Sequence, residues 1–423
     1  MIELLAPAGD MEKLQIAVAY GADAVYLSGQ AFGLRAMAKN FNDTEMAEGI
    51  AYAHKHGVKA YVTANIIAHN DDIEDMKGYF EALAQMGADA FIISDPGVFQ
   101  LARKAAPEVE IHVSTQANIT NYASAMFWYE MGAKRIILAR ELTVGEISKI
   151  REKCPEDLRL EGFVHGAMCM AYSGRCLLSR YMTGGRDANL GACAHPCRYS
   201  YRLFVEENSR PGQYLPVEES DRGIEIFAAE DLCMIAHLPA LIEAGLDSFK
   251  IEGRMKTPFY VGLAVRAYRQ AIDDIAKSGI ELYKSRIPYY LDMLEMASHR
   301  TFSTGLYFGW NNETVTSVTA PYYRTHDFVG IVQEYNSQTK LAIIEQRNVF
   351  AEGEYLTFVP AKGESFSQQA NDLHDEKGIR ITRAPHAKQR VVIPVERPVE
   401  KLDLVCKACK DVRIKEEVSH TSH

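Results

Sequence analysis

No stretch of this sequence approaches the roughly 18 consecutive apolar residues that a membrane helix requires, so nothing in it reads as a membrane span. Positive charge is not in excess either. Lys and Arg total 46 against 56 Asp and Glu, a net charge of −10, which excludes a basic nucleic-acid coat but leaves room for a locally basic surface. The opening residues, Met1-Ile2-Glu3-Leu4-Leu5, lack the basic start and apolar core of a secretory signal, and a cytoplasmic location is expected. There is no G-x-S-x-G, no H-E-x-x-H, no S-x-x-K with its partners and no Walker A loop, so the usual hydrolytic machineries find no support. No G-x-G-x-x-G follows the first apolar segment, which argues against dinucleotide binding.

What remains is an ordinary globular composition, 47% hydrophobic and 24% charged over 423 residues. A recurring phrase organises its first two thirds. An amphipathic stretch ends in Gly, and one or two residues later a short apolar run begins. The phrase occurs at Gly21, Gly87, Gly132 and Gly245, and more loosely at Gly57. Glycine accepts the left-handed conformation that ends a helix, after which the chain can turn into a strand. Strands are expected at 3–6, 24–27, 60–62, 90–93, 111–114, 136–138, 158–164 and 249–251. Eight βα units predict an α/β fold of the (β/α)8 type, a TIM-like barrel over 1–322, with a doubly wound open sheet as runner-up.

Between the seventh and eighth strands lies an insertion, 166–230, with a hairpin expected from 199–205 and 223–227. Helices are expected at 258–277 and near 288–297. Over 323–405 the texture changes to short alternating strands, at 329–334, 340–345, 355–358, 379–381 and 390–394. These predict a small C-terminal β-barrel module. The polar end, 406–423, reads as a mobile tail.

The insertion holds Cys169, Cys176, Cys193 and Cys197 at the spacing C-x6-C-x16-C-x3-C. Eight cysteines in a chain without a leader fit metal ligation or reduced thiols better than structural disulfides. Four thiolates in one glycine-rich loop can surround an iron–sulfur cluster or Zn²⁺. A zinc ribbon uses tight C-x2-C pairs, so the wider spacing favours iron–sulfur, with zinc as the alternative. Buried thiols without metal are the bland alternative. Cys233, at an expected helix start, and Cys154, at a helix end, read as core packing, and the lone pair Cys406-x-x-Cys409 as no site ahead of a redox pair or half of a shared zinc site.

Ligands of a barrel bind at the C-terminal ends of its strands. Those ends carry Asn65, His69, Ser94, Asp95, Ser114, Gln116, Arg140, Glu141, His165, Glu252 and Arg254. Each alone is more often a helix cap or a loop solvator, as Asp95 before Pro96 illustrates. Arg35, Arg140 and Arg254 suit an anionic substrate with carboxylates, which guanidinium matches in bidentate fashion. His112 lies inside its strand, where a satisfied core histidine is the bland reading. For RNA, the strip Lys377, Arg380, Arg383, Lys388 and Arg390 has no acidic residue after Glu376, and suits phosphate contacts as well as it suits a solvated hairpin face. Residues 324–423 hold equal numbers of basic and acidic residues, so the whole negative surplus precedes them.

At Glu161 the sequence takes on a family likeness. Glu161-Gly-Phe163-Val-His165-Gly166-Ala-Met-Cys169, followed by Gly174-Arg175-Cys176-Leu-Leu-Ser179, resembles the signature of the collagenase-like peptidases, peptidase family U32. Leu5-Ala-Pro7-Ala-Gly9, Arg35 to Phe41, His112-Val-Ser114-Thr-Gln116, Lys250-Ile-Glu252-Gly253-Arg254, Ser298-His299-Arg300 and Glu345-Gln-Arg347-Asn348 agree with it. The resemblance spans nearly the whole chain. It implies a 4Fe–4S cluster on Cys169, Cys176, Cys193 and Cys197, and it is similar in length and β module to the prephenate-dependent tRNA hydroxylation proteins. It thus implies O₂-independent hydroxylation of the wobble uridine to 5-hydroxyuridine, with tRNA as partner, prephenate as co-substrate, and room for a second family member as a hetero-oligomer partner. The candidate active-site set is then Arg35, His112, Gln116, Arg140, Glu161, His165, Glu252 and Arg254. The RNA-binding set is Arg347, Lys377, Arg380, Arg383, Lys388 and Arg390. A metallopeptidase of the same family, or a non-catalytic RNA-binding scaffold, are the competing readings.

Overall fold

Eight βα units, five of them entered through a glycine turn, are present in the computed structural model, which describes residues 2–33, 40–167, 230–309 and 322–409, together with Ser179, Met182, Cys193, Ala194, Pro196 and the strands 204–206 and 214–216. The strands are β1 (Glu3–Pro7), β2 (Ala24–Ser28), β3 (Lys59–Thr63), β4 (Ala90–Ile93), β5 (Glu110–Val113), β6 (Arg135–Ile137) and β7 (Arg159–Ala167), completed by β11 (Ser248–Ile251). Each pairs in parallel with the next, and β11 pairs with both β7 and β1, closing the predicted barrel. The five phrase glycines lie at φ between +74° and +104°, the left-handed helix ends that the sequence pattern anticipates. The helices begin on side-chain caps: Asp10, Asn42, Thr143 and Thr257 each accept the backbone N–H three residues on.

Strand β7 runs three residues past its expected end, because beyond the barrel it pairs antiparallel with β10 (Asp231–Cys233). Cys233 therefore lies in a strand rather than at a helix start, with its Sγ 3.9 Å from the Tyr268 hydroxyl. Strand β10 in turn pairs with β12 (Phe302–Ser303). Within the insertion, β8 (Phe204–Glu206) pairs with β9 (Tyr214–Pro216); this corrects the expected hairpin partner, whose position at 223–227 lies outside the described residues. The helix expected to start at Pro288 instead spans Ile280–Glu295 with Pro288 inside it. Contacts on both sides of the proline hold it, Tyr283 Oη donating to Ile235 O at 2.8 Å and Tyr290 Oη to Asp274.

The chain forms two compact units, Met1–Tyr290 with Arg300–Pro321, and Leu291–His299 with Tyr322–His423. In the second unit His299 and Tyr323 exchange backbone hydrogen bonds at 3.0 and 2.8 Å. Its strands are β13 (His326–Asn336), β14 (Leu341–Gln346), β15 (Phe350–Ala351), β16 (Tyr355–Val359), β17 (Phe366–Gln369), β18 (His374–Asp375), β19 (Arg383–Ala384), β20 (Arg390–Pro394) and β21 (Leu404–Ala408). Seven make one antiparallel sheet in the order β17-β16-β21-β13-β14-β20-β18, and β15 pairs with β19. Alternate residues of β14 and β20 are buried, and Ile344, Val391 and Ile393 join Phe350, Phe358 and Ala384 in one core. The segment expected as a strand at 379–381 is reduced to a single bridge: after a turn closed where Gly378 N donates to Asp375 O at 3.0 Å, Arg380 pairs antiparallel with His374, with Asp375 N donating to Ile379 O at 2.9 Å and Ile381 N to Leu373 O at 2.8 Å. Cys406 is a buried residue of β21, so the module extends past 405 to Ala408, and the expected tail from 410 onward lies outside the described residues.

Candidate active site

Branched apolar residues usually fill a barrel of this kind, but here charged side chains occupy part of the interior. The guanidinium of Arg135 on β6 donates to Glu161 Oε2 on β7 at 2.7 Å and to both carboxylate oxygens of Glu3 on β1, the second at 3.1 Å. Ser248 of β11 donates to Glu3 at 3.0 Å and Glu161 at 3.2 Å, Tyr61 of β3 donates to Glu3 at 2.7 Å, and Lys250 Nζ donates to Glu161 Oε1 at 3.0 Å. His112 of β5 packs its ring edge-on against Tyr61 and meets Glu110 at 3.2 Å. Residues flanking these groups, such as Ile111 and Val113 or Phe249 and Ile251, are buried and apolar and point the other way, toward the helices.

Burial alone would raise the carboxyls of Glu3 and Glu161. Arg135 instead holds Glu3 down at about 2, and Lys250 with Arg135 keeps Glu161 below the ordinary carboxylate value. Burial, reinforced by the Arg135 charge, pushes His112 down to about 4, so its imidazole is neutral at pH 7. Burial likewise lowers Lys250, opposed by Glu161. Two of the candidate residues, His112 and Glu161, thus belong to the buried ladder rather than to the rim.

Above the ladder stands the rim. Arg140 lies over the Phe163 ring, its Cζ 3.8 Å from the centroid, donates to Ala167 O at 2.8 Å and reaches Glu252 at 4.0 Å. Arg254 donates to Thr63 Oγ1 at 3.2 Å and stands 5.8 Å from the centroid of Tyr26, whose hydroxyl donates to Glu252 Oε2 at 3.2 Å. Across the barrel, Asn65 Nδ2 donates to Gln116 Oε1 at 2.8 Å and to Ser114 Oγ at 3.3 Å, and Ser94 Oγ donates to Asn65 O at 3.0 Å. Glu141 is raised by burial. Asp95 and His69 are the N-cap residues of helices Pro96–Ala105 and Asn70–Gln85. His165 is buried with its ring stacked on Tyr260 and beside Tyr268 and Phe302. Arg35 lies outside the described residues.

Two glycines let the rim loops close on one another. A Cβ at Gly9 would stand 2.2 Å from Arg254 O, and one at Gly166, whose φ is +109°, 2.4 Å from Glu252 O. Gly166→Ala is expected to cost at least about 2 kcal/mol, from backbone strain plus a clash with main chain, and to displace Glu252. Urea denaturation measures the first effect and catalytic rate the second.

Of the four candidate ligand cysteines, only Cys193 lies among the described residues, half-buried; Cys169, Cys176 and Cys197 fall outside them. Among the described residues no group of three or more His, Cys, Asp or Glu forms a metal site. Ser179, fully buried, accepts from Ala194 N at 2.9 Å. That bond ties a position three residues after Cys176 to the one following Cys193. No helix among the described residues is long and apolar enough to cross a membrane.

In the second unit the basic residues divide into two sets. Arg347, Arg380 and Arg390 pair with Glu345, Glu352 and Glu334 at 2.6, 2.9 and 2.7 Å. Lys377, Arg383 and Lys388 are exposed and form no ion pair with a described residue.

The fold and its cation-rich, aromatic rim define a (β/α)8-barrel enzyme. Residues 9–317 match the model of peptidase family U32, and residues 324–405 that of the peptidase family U32 C-terminal domain. The tRNA hydroxylation protein P1 of Bacillus subtilis (strain 168) is 38% identical over 399 residues, covering 94% of this chain and 92% of that protein. The tRNA hydroxylation protein P of Escherichia coli (strain K12) is 35% identical over 437 residues, 94% of each. The 23S rRNA 5-hydroxycytidine C2501 synthase of the same strain is 37% identical over 304 residues, 72% of this chain and 44% of that protein. The chain belongs to peptidase family U32, as its motifs anticipate.

The sequence reading missed Glu3, Tyr61, Arg135, Ser248 and Lys250. A signal for them existed: Arg135 before Ile136, and Lys250 between Phe249 and Ile251, are charges within apolar strands, and in a closed barrel the odd polar face can only point inward.

Proposed function

We propose that this chain is a tRNA hydroxylase that converts the wobble uridine to 5-hydroxyuridine without O₂, taking prephenate as co-substrate and holding a 4Fe–4S cluster. The observation that carries this function is the likeness, over 92% and 94% of their lengths, to two proteins named for tRNA hydroxylation. Arg140 and Arg254, stationed over Phe163 and Tyr26, suit the carboxylates of a small dianion, and Glu252 orients Arg140. The Asn65–Ser114–Gln116 cluster offers amide and hydroxyl groups of the kind that recognise a nucleobase edge.

Cys169, Cys176, Cys193 and Cys197 would hold the cluster. The donor set fits it: all are thiols, Cys169 follows the rim end of β7 by two residues, and the Ser179–Ala194 bond joins two of the cysteine-bearing segments. When bound, such a cluster would relay electrons to or from the reactants, since four protein thiolates leave iron no open position. Zn²⁺ in the same thiolates would supply none.

For the RNA, Lys377, Arg383 and Lys388 are the cations whose charge is not already neutralised by a neighbouring carboxylate. Reversing all three to Glu is expected to weaken tRNA binding at least about tenfold, and to flatten its salt dependence by about 0.7–0.9 in log–log slope for each phosphate no longer neutralised. Reversal of Arg380 or Arg390, whose charges are already paired, is expected to do less. Filter binding across a salt series separates the two sets.

The function itself is tested by nucleoside mass spectrometry of tRNA from cells lacking this gene and any parallel hydroxylation route. Loss of 5-hydroxyuridine-type nucleosides, restored by the wild-type chain, is the expected result. Undiminished nucleosides in that background would refute it.

A further inference from the structure

The ladder and the rim meet at one residue, Lys250. Its ammonium is buried, yet among the described residues it has one oxygen acceptor, Glu161 Oε1 at 3.0 Å. An ammonium carries three N–H donors, and buried donors are nearly always satisfied. Beside it stand not acceptors but ring faces, Tyr26 at 4.5 Å and Phe163 at 5.4 Å from Nζ to the centroids. These are the same two rings that carry the rim cations, Arg254 over Tyr26 and Arg140 over Phe163. Arg140 also has a donor to spare, its buried Nε having no hydrogen-bond partner. Three cations thus converge on two aromatic rings at one end of the barrel, two of them with unused N–H groups.

Among the described residues two carboxylates, Glu161 and Glu252, which attracts Lys250 and reaches Arg140, face the three cations Lys250, Arg140 and Arg254 and do not balance them. The Glu161 carboxylate is shared, one oxygen taking Arg135 at 2.7 Å and the other Lys250. A neutral substrate would leave these donors unmatched, whereas a compact dianion would satisfy them.

We infer that Lys250 is a third cationic contact for the small dicarboxylate co-substrate, a specificity-determining residue that donates from the floor of the mouth while Arg140 and Arg254 bind from its rim. This rests on the anion-binding role proposed above for the mouth. Sequence reading overlooks Lys250 because it stands in mid-strand between Phe249 and Ile251, where a rim ligand is not sought.

The test uses the full chain purified without oxygen, titrated with prephenate by calorimetry, with folding checked by circular dichroism. Lys250→Met is expected to weaken prephenate binding by about tenfold to a hundredfold, the scale of one charged hydrogen bond removed. It should raise KM for prephenate far more than it lowers kcat, a split that a merely structural lysine would not produce. Because Lys250→Met leaves Glu161 with one cation fewer, a second variant, K250Q/E161Q, removes both charges together and keeps a hydrogen-bonded pair. The same loss of prephenate affinity is expected there. Wild-type affinity in either folded variant, with Arg140→Met and Arg254→Met still impaired, would overturn the role of Lys250 alone. Unchanged binding in all four variants would instead overturn the anion site as a whole.

Discussion

Cys193→Ala is expected to strip iron from the protein and to lower hydroxylation by more than about a hundredfold. Groups that merely orient a metal ligand are worth about 10- to 100-fold, and here a ligand itself is removed. Cys193 is half-buried and lies outside the barrel strands, and the residue after it donates to the fully buried Ser179. The substitution should therefore leave the barrel folded while the visible absorption of an iron–sulfur centre disappears. Cys233→Ala and Cys154→Ala are the matched controls. Cys233 sits in β10 beside Tyr268, and Cys154 caps the helix Val144–Lys153, so both variants should keep their iron. Full iron content in Cys193→Ala, or its loss in the controls, would mean that the quartet is wrongly drawn.

The largest effect on stability is expected from Arg135→Met. Among the described residues Arg135 is the one cation that touches both Glu3 and Glu161, and its removal leaves two carboxylates inside the barrel with Lys250 as their one described cation. Breaking a buried ion pair from one side costs about 3–5 kcal/mol, because the partner's charge stays desolvated. Urea denaturation at pH 7 measures this.

The same ladder sets the acid limit of the fold. Glu3 titrates at about 2 in the folded chain against an ordinary value of 4.5, so its contribution is complete above about 4.5 and is lost as the pH falls toward 2. His112, held at about 4 against an ordinary 6.5, resists the proton that the unfolded chain accepts, so its contribution is complete above about 6.5 and is lost as the pH falls through 4. Wild-type stability should therefore decline in two stages, first between about 6.5 and 4 and then below about 4.5. In Arg135→Met the second stage should move to higher pH, because the guanidinium that lowers Glu3 is gone. A flat profile from about pH 7 down to about 3 would contradict the ladder.

Much of this architecture was legible before the structure. Gly21, Gly87, Gly132 and Gly245 marked the helix ends because few other residues take their backbone angles, and the strands after them follow in register. Arg140, Glu252 and Arg254 could be read as rim residues because they directly follow apolar runs. Long-range pairing was harder to see. That β7 outlasts the barrel depends on β10, which is remote in sequence, and no local pattern reveals such a partner. Helix Ile280–Glu295 runs through Pro288 because Asp274 and Ile235 hold it from outside. The basic strip of the β module illustrates a further gap. Composition shows its charges, while only the fold shows that Arg347, Arg380 and Arg390 already face carboxylates and that Lys377, Arg383 and Lys388 do not.

The most direct measurement combines the anaerobically purified full chain, an unmodified tRNA bearing a wobble uridine, prephenate and a redox mediator able to accept electrons in a sealed, oxygen-free reaction. Nucleoside mass spectrometry then reads the product. The expected result is a wobble uridine heavier by one oxygen, formed only when prephenate is present and absent with the Cys193→Ala protein. Unaltered uridine from a preparation with full iron and sulfide content would contradict the assignment of this chain as a tRNA hydroxylase.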